Sequence, residues 1–176
     1  MTKQELTDCI DTYGRELYSF CRHLTGNAQE ADELYQDTWL KTMELLEDID
    51  PMGNVKSYCL SVALRLWKNR KRKFAWRKRI AGTQDILDEE GLEYISDGSP
   101  TSEERVLEKE RDRMVWNAVD ALPEKLRTVI LLYYMEELSV SQIAAAAGVP
   151  EGTVKSRLYH ARKILEQKLE GVYYEK

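Results

Sequence analysis

Apolar residues recur at steps of three and four through most of this chain, and that spacing restricts it to helices. Ile10, Tyr13, Leu17, Phe20 and Leu24 make the first stripe, the mark of one buried face on a 3.6-residue period. Gly26-Asn27 interrupts it, and Asn27 with Glu30 three residues on predicts the cap of a second helix. That helix turns Ala31, Leu34, Tyr35, Thr38, Thr42, Leu45 and Ile49 inward. After the turn-rich Asp50-Pro51-Met52-Gly53-Asn54, a third helix uses Val55, Tyr58, Cys59, Val62, Ala63 and Leu66.

The pattern resumes with Val106, Leu107, Met114, Val115, Ala118 and Leu122, and Pro123 opens a further helix with Leu126, Val129, Ile130 and Tyr133 inside. Ser139 and Gln142 predict a capping box for a short helix, Val140 to Ala147, which Gly148 ends. A last helix aligns Val154, Leu158, Ala161, Leu165 and Leu169. No stretch alternates as a strand does. The expected class is all-α: two small helical domains, residues 1–81 and 105–176, the second a helix-turn-helix. Between them residues 82–104, acidic and containing Gly91, Ser96, Gly98, Ser99 and Pro100, read as a flexible linker.

The net charge of −5 conceals a segregated pattern. Residues 1–50 carry 4 Lys/Arg against 12 Asp/Glu, residues 51–81 carry 10 Lys/Arg and no acid, and residues 82–104 carry 8 acids and no base. A basic block between acidic ones implies a polyanion on one surface and a different partner on another. Three cysteines, Cys9, Cys21 and Cys59, are too few and too odd in number for a disulfide scaffold, and read as buried thiols. The apolar runs are shorter than the roughly 20 residues that span a bilayer, and the first residues do not read as a secretory signal. A cytoplasmic protein, monomeric when free and without membrane insertion, is expected.

The strongest local signal is Ala144-x3-Gly148-x5-Val154. A helix-turn-helix needs a small residue where its helices cross, a glycine at the turn and an apolar lock in the second helix. Opposite that lock lie Gly152, Thr153, Ser156, Tyr159, His160 and Lys163, flanked by Lys155, Arg157 and Arg162, side chains that reach phosphates and base edges in a major groove. In the basic helix, Ser61, Arg65, Lys68 and Arg72 share one side, and Trp67, Phe74 and Trp76 are interleaved with cations. Cations that track a backbone beside aromatic platforms suit single-stranded or melted nucleic acid, although Trp67 taken alone reads at least as well as a core residue. Asp32, Glu33, Gln36 and Asp37 leave an acidic outer face on the second helix, by itself the mark of a solvated surface. No catalytic triad, phosphate-cradling glycine loop or metal-ligand set is present in the sequence, so neither catalysis nor a cofactor or metal is expected.

In this order the pieces resemble the extracytoplasmic-function group of bacterial sigma factors, which keep the second and fourth conserved regions of larger sigma factors. Glu30 to Lys41 resembles the helix that grips the β′ clamp helices of core RNA polymerase, which implies Asp32, Glu33, Gln36, Asp37, Trp39 and Lys41 as the docking set. Leu122-Pro123-Glu124-Lys125-Leu126-Arg127 resembles the opening of the fourth region. Gly152 to Arg162 is similar to the recognition helix for the minus-thirty-five promoter element, which with Lys163 implies the contact set named above. The resemblance also makes the Asp50–Lys56 loop a base-capturing element, with Asp50, Met52, Asn54, Lys56, Ser61, Arg65, Lys68 and Arg72 at the minus-ten element. It implies a non-catalytic specificity subunit whose partners are core polymerase (β′ clamp helices and β flap), promoter DNA and an anti-sigma factor. Arg65 and Asn69 stand where the family has Asn and Asp, Tyr58-Cys59 where it has Trp-Leu, and His160 where Arg is common, so promoter preference does not carry over. The rivals are a helix-turn-helix regulator that works without polymerase, which leaves residues 1–81 unexplained, and a nucleic-acid-processing enzyme, which lacks a site.

Overall fold

In a computed structural model the described residues, 1–50, 53–81 and 103–174 (side chains at 81, 103–109 and 171–174 excepted), form helices joined by short turns, with no strand among them. Helix α1 runs Lys3–Thr25, α2 Ala28–Glu44, α3 Val55–Ala81, α4 Glu103–Asp120, α5 Glu124–Ile130, α6 Val140–Ala147 and α7 Glu151–Tyr174. A 3-10 turn, Leu46–Asp48, follows α2, so that helix stops short of Ile49. A π turn, Leu131–Met135, follows α5. The expected linker, residues 82–104, lies mostly outside the described residues, but its last two positions already belong to α4.

Local chemistry explains the boundaries. Thr2 and Glu5 form a capping box at the start of α1, marked in the sequence by the Thr-x-x-Glu spacing. The Asn27 side chain accepts from the Glu30 amide, and Ser139 and Gln142 cap α6 reciprocally. Each such cap contributes about 1 kcal/mol. Gly26 and Gly148 close α1 and α6 at φ of 74° and 65°, a left-handed backbone that costs other residues roughly 1–2 kcal/mol.

Helices α1, α2 and α3 pack on one another, and α4, α5 and α6 pack around α7. The two groups also meet: α3 lies against α6, and α1 against α5 and the π turn, so one buried cluster runs from Leu6 to Ala161. With neighbours on several sides, α3 buries Leu60 and Leu64 as well as the expected Cys59, Val62 and Ala63. Burying each large apolar side chain contributes roughly 1.5–3 kcal/mol. Met114, expected inside, is 47% exposed; Ala118 and Val119 carry the buried face of α4, and Leu122 is buried in the turn that follows it.

Across the meeting of the two groups, Arg127 donates to the Leu24 carbonyl at 3.2 Å and to Asp120 O at 2.6 Å. His23 lies 2.9 Å from Asp120 and stacks on Trp116 with ring centroids 4.1 Å apart. Cys21 and Cys59 are buried and Cys9 half-buried, all unpaired. Burial pushes the Cys21 and Cys59 thiols up to about 12 and about 11, so they are inert packing groups.

Candidate nucleic-acid interfaces

The α6–turn–α7 unit is held from inside. Val154, Leu158 and Ala161 are at most 4% exposed, which fixes the roll of α7 about its axis. The turn is stitched by the Gly148 and Val149 amides donating to Ala144 O. Gly152, Lys155, Ser156, Tyr159, His160, Arg162 and Lys163 are thereby exposed, and Thr153 and Arg157 half-buried. All nine expected contact residues of this helix therefore lie on or beside one outer surface. Lys163 pairs with Glu166 at 3.1 Å. Arg162 is the most constrained: its Nε donates to the Tyr134 hydroxyl at 2.8 Å, and its guanidinium lies 5.5 Å and 5.6 Å from the Tyr133 and Tyr134 ring centroids. Sequence spacing assigns Tyr133 to the core and leaves Tyr134 unassigned; the π turn brings both against α7.

On α3, Ser61, Arg65, Lys68 and Arg72 do share one side, together with Asn69, and that side looks across a cleft at Ala145–Gly148. The Lys68 ammonium donates to the Ala147 carbonyl, one of the carbonyls a helix end leaves unpaired. Burial, then the charge of Arg157, pulls the Lys68 ammonium below its ordinary value. Lys71 pairs with Glu124 of α5 and lies over Trp67. Of the three interleaved aromatics, the core reading holds for one. Trp67 is 5% exposed and belongs to the core, whereas Phe74, Trp76 and Ile80 are exposed at the far end of α3.

Of the loop, Asp50 is exposed and Met52 lies outside the described residues. Asn54 is engaged locally, its Oδ1 accepting from the Ser57 amide at 2.9 Å. Lys56 sits between Glu16 at 2.5 Å and Glu136 at 2.9 Å. Burial works against its charge, but hydrogen bonds to the two carboxylates outweigh burial and hold the ammonium above its usual value. Burial pushes the Glu136 carboxyl up, and Lys56 offsets only part of that.

On α2, Asp32, Glu33, Gln36 and Asp37 form an exposed acidic face, with Lys41 half-buried beside Glu44 at 2.7 Å. Arg70 of α3 reaches Glu33 at 3.2 Å and Asp37 at 2.9 Å, and Tyr18 donates to Asp32 at 2.7 Å. Trp39 does not join this face: it is 8% exposed, packed in the core. Its neighbours Leu40 and Met43, 54% and 47% exposed, supply the apolar part of the surface instead.

Among known proteins, the description "Sigma-70 region 2" fits residues 9–77 and "Sigma-70, region 4" fits residues 112–165. The chain is 28% identical over 166 residues to the ECF RNA polymerase sigma factor SigW of Bacillus subtilis, across 92% of this chain and 87% of that protein. It is 30% identical over 149 residues to the ECF RNA polymerase sigma factor EcfG of Rhodopseudomonas palustris, across 85% and 76%. In solved structures it is similar to the sigma factor RpoE in complex with the anti-sigma factor NepR from Bartonella quintana, with a TM-score of 0.72 and 22% identity over 99% and 98% of the two chains. CnrH in complex with the cytosolic domain of CnrY follows the same fold, at a TM-score of 0.63, 19% identity and 97% and 90% coverage.

Proposed function

The chain belongs to the extracytoplasmic-function RNA polymerase sigma factors, and from that membership we propose a division of labour among its surfaces. As a sigma factor it binds core polymerase and directs it to promoters. Residues 1–81 form the unit that docks on the polymerase and holds the minus-ten element; residues 105–176 form the unit that reads the minus-thirty-five element. The acidic face Asp32, Glu33, Gln36 and Asp37, edged by Leu40 and Met43, meets the β′ clamp helices. The α3 side Ser61, Arg65, Lys68 and Arg72 tracks the melted strand, with Phe74 and Trp76 offered as stacking surfaces. Opening is driven by binding: the energy of holding an extruded base, which costs a few kcal/mol to unstack, comes from the strand contacts themselves. The polymerase supplies the chemistry, in the cytoplasm, and an anti-sigma factor is the regulatory partner that the similar complexes suggest.

The observation that carries this reading is the outer surface of α7, whose polar and cationic side chains stand opposite a buried Val154-Leu158-Ala161 stripe. A recognition helix needs that combination, a fixed roll and a side free for the groove.

The packed arrangement is the one the chain leaves when it acts. The two promoter elements lie about 25 base pairs apart, roughly 85 Å at 3.4 Å per step, whereas here α3 touches α6. The stretch from Ala81 to Glu103 reaches at most about 80 Å when extended, enough with the width of the two units to cover that span. Parting them frees Lys68 from Ala147 and Lys56 from Glu136. Run-off transcription with purified core polymerase on a library of promoter fragments tests the reading; initiation at the same sites with and without the chain would end it.

A further inference from the structure

The geometry points to Tyr134 as a positioning residue that holds Arg162 ready for a DNA phosphate on the flank of the recognition helix. The inference rests on the assignment of α7 to the minus-thirty-five duplex and adds a residue outside the recognition helix to that site.

An arginine on an exposed helix surface samples many rotamers, and fixing it costs side-chain entropy that a partner already in place removes from the cost of binding. Arg162 is exposed yet constrained. The Tyr134 hydroxyl accepts its Nε proton at 2.8 Å, and the rings of Tyr133 and Tyr134, set at 73° to each other, stand 5.5 Å and 5.6 Å from the guanidinium carbon. Engaging Nε leaves the two terminal nitrogens, the pair that grips a phosphate or carboxylate with parallel hydrogen bonds. The neighbouring acid on α7 that would compete for them, Glu166, is bonded to Lys163.

The clamp is built by an irregularity of the backbone. Leu131–Met135 forms a π turn, with the Glu136 amide donating to Leu131 O at 3.1 Å, and such turns cluster at functional positions. It packs Tyr133 against the core and leaves Tyr134 57% exposed. A large aromatic residue that is exposed and bonded to a cation contributes little to the core, so its use lies in what it does to the cation.

Which ligand the fork takes follows from its position. Lys155, Tyr159 and Arg162 are spaced by four and three on α7, so they form one stripe, and all three are exposed. That stripe begins at the helix N-terminus, the end that enters a groove, so Arg162 meets the sugar-phosphate edge rather than a base.

The test uses holoenzyme assembled from core polymerase and the full chain, binding a promoter duplex selected by the wild-type holoenzyme from a random library. Arg162→Ala should weaken binding about tenfold and lower the slope of log affinity against log salt by about 0.9, the loss of one phosphate contact. Tyr134→Phe keeps the ring and removes the acceptor; about threefold weaker binding is expected, with no further loss in the Arg162→Ala background. Arg162→Lys keeps the charge and the salt slope but loses the Nε donor and the fork, so it too should weaken binding about threefold; unchanged binding by this variant would overturn the inference even if Tyr134→Phe fails to fold. Unchanged binding by Tyr134→Phe, an equal loss from it in both backgrounds, or a loss of polymerase affinity in place of DNA affinity would overturn the inference, the last by assigning the fork to a protein carboxylate. Failure of the wild-type holoenzyme to select any promoter would instead end the functional reading on which this rests.

Discussion

Glu136 and Lys56 meet at 2.9 Å with the Glu136 side chain only 1% exposed, so an acid and its cation are carried inside the contact between the two helical groups. Among the described residues its counter-charge is Lys56, which is shared with Glu16. Removing the cation from such a pair costs more than removing both members, because the stranded carboxylate keeps its desolvation penalty. Lys56→Ala should therefore lose about 2 kcal/mol, less than the 3–5 of a fully buried pair because Lys56 is itself 24% exposed. At roughly 2–4 °C per kcal/mol for a chain of this size, the thermal midpoint should drop by several degrees. Adding Glu136→Gln should restore most of it; no rescue in the double variant would place the destabilisation elsewhere.

The same carboxyl predicts a pH dependence whose sign is opposite to that of an ordinary ion-paired acid. Burial raises the folded-state value of Glu136 above its unfolded value. Such a group gives stability that is fully present below the unfolded value, about 4.3, and is lost as pH rises through the folded value. Glu136→Gln stays neutral throughout and keeps Lys56 beside Glu16. Its midpoint should therefore exceed that of the wild type at pH 7 and converge with it near pH 4. Every other titrating group is common to both proteins, so the difference between the two curves isolates this one. A gap that widens on acidification would contradict the sign.

The acidic face of α2 can be tested without disturbing the fold. Asp37 is exposed and its partner Arg70 is reached at 2.9 Å; exposed pairs contribute about 0–1 kcal/mol. Asp37→Arg should leave the thermal midpoint within a few degrees of wild type while core polymerase affinity falls at least tenfold. Binding that survives the reversal, measured by co-purification or by competition against another sigma factor, would remove Asp37 from the docking surface.

The fold was legible in the sequence because its signals act within one or two turns. Ser139 with Gln142, and Gly148 after Ala147, need only local geometry, and the Val154-Leu158-Ala161 stripe fixes which side of α7 turns outward. The large aromatics were not legible in this way. Trp39 and Trp67 occupy helical positions whose exposure depends on what packs against that side, and on α3 the neighbours arrive from α1, α2 and α6 at once. Met114 fails for the converse reason: helical spacing alone places it inside, but among the described residues that side of α4 is left open, with Met114 47% exposed. The contact of Lys68 with Ala147 joins residues 79 apart, and the π turn lies in an uninterrupted apolar run that reads as plain helix. Neither leaves a local mark. The sequence therefore shows which residues are cationic and exposed, while their present partners come only from tertiary packing.

Lys155 and Arg157 separate the DNA contribution from the packing contribution, because only one of them lies at the contact between the groups. Lys155 is exposed on α7, whereas Arg157 is half-buried and its charge acts on Lys68 across the cleft. Each phosphate neutralised on duplex DNA contributes about 0.9 to the salt slope. Replacing both residues with Ala should lower the slope of holoenzyme binding to promoter duplex by about 1.8, with weaker affinity at every salt concentration. Lys155→Ala alone should halve that change and leave the stability of the free chain within about 0.5 kcal/mol, as for other open surface positions. Arg157→Ala should take the other half and in addition make the free chain slightly more stable, since like charges no longer face each other where α3 meets the helix-turn-helix. A slope unmoved by the double replacement would take these side chains off the phosphates; equal stability effects from the two single variants would mean that the repulsion between Arg157 and Lys68 is already screened by solvent.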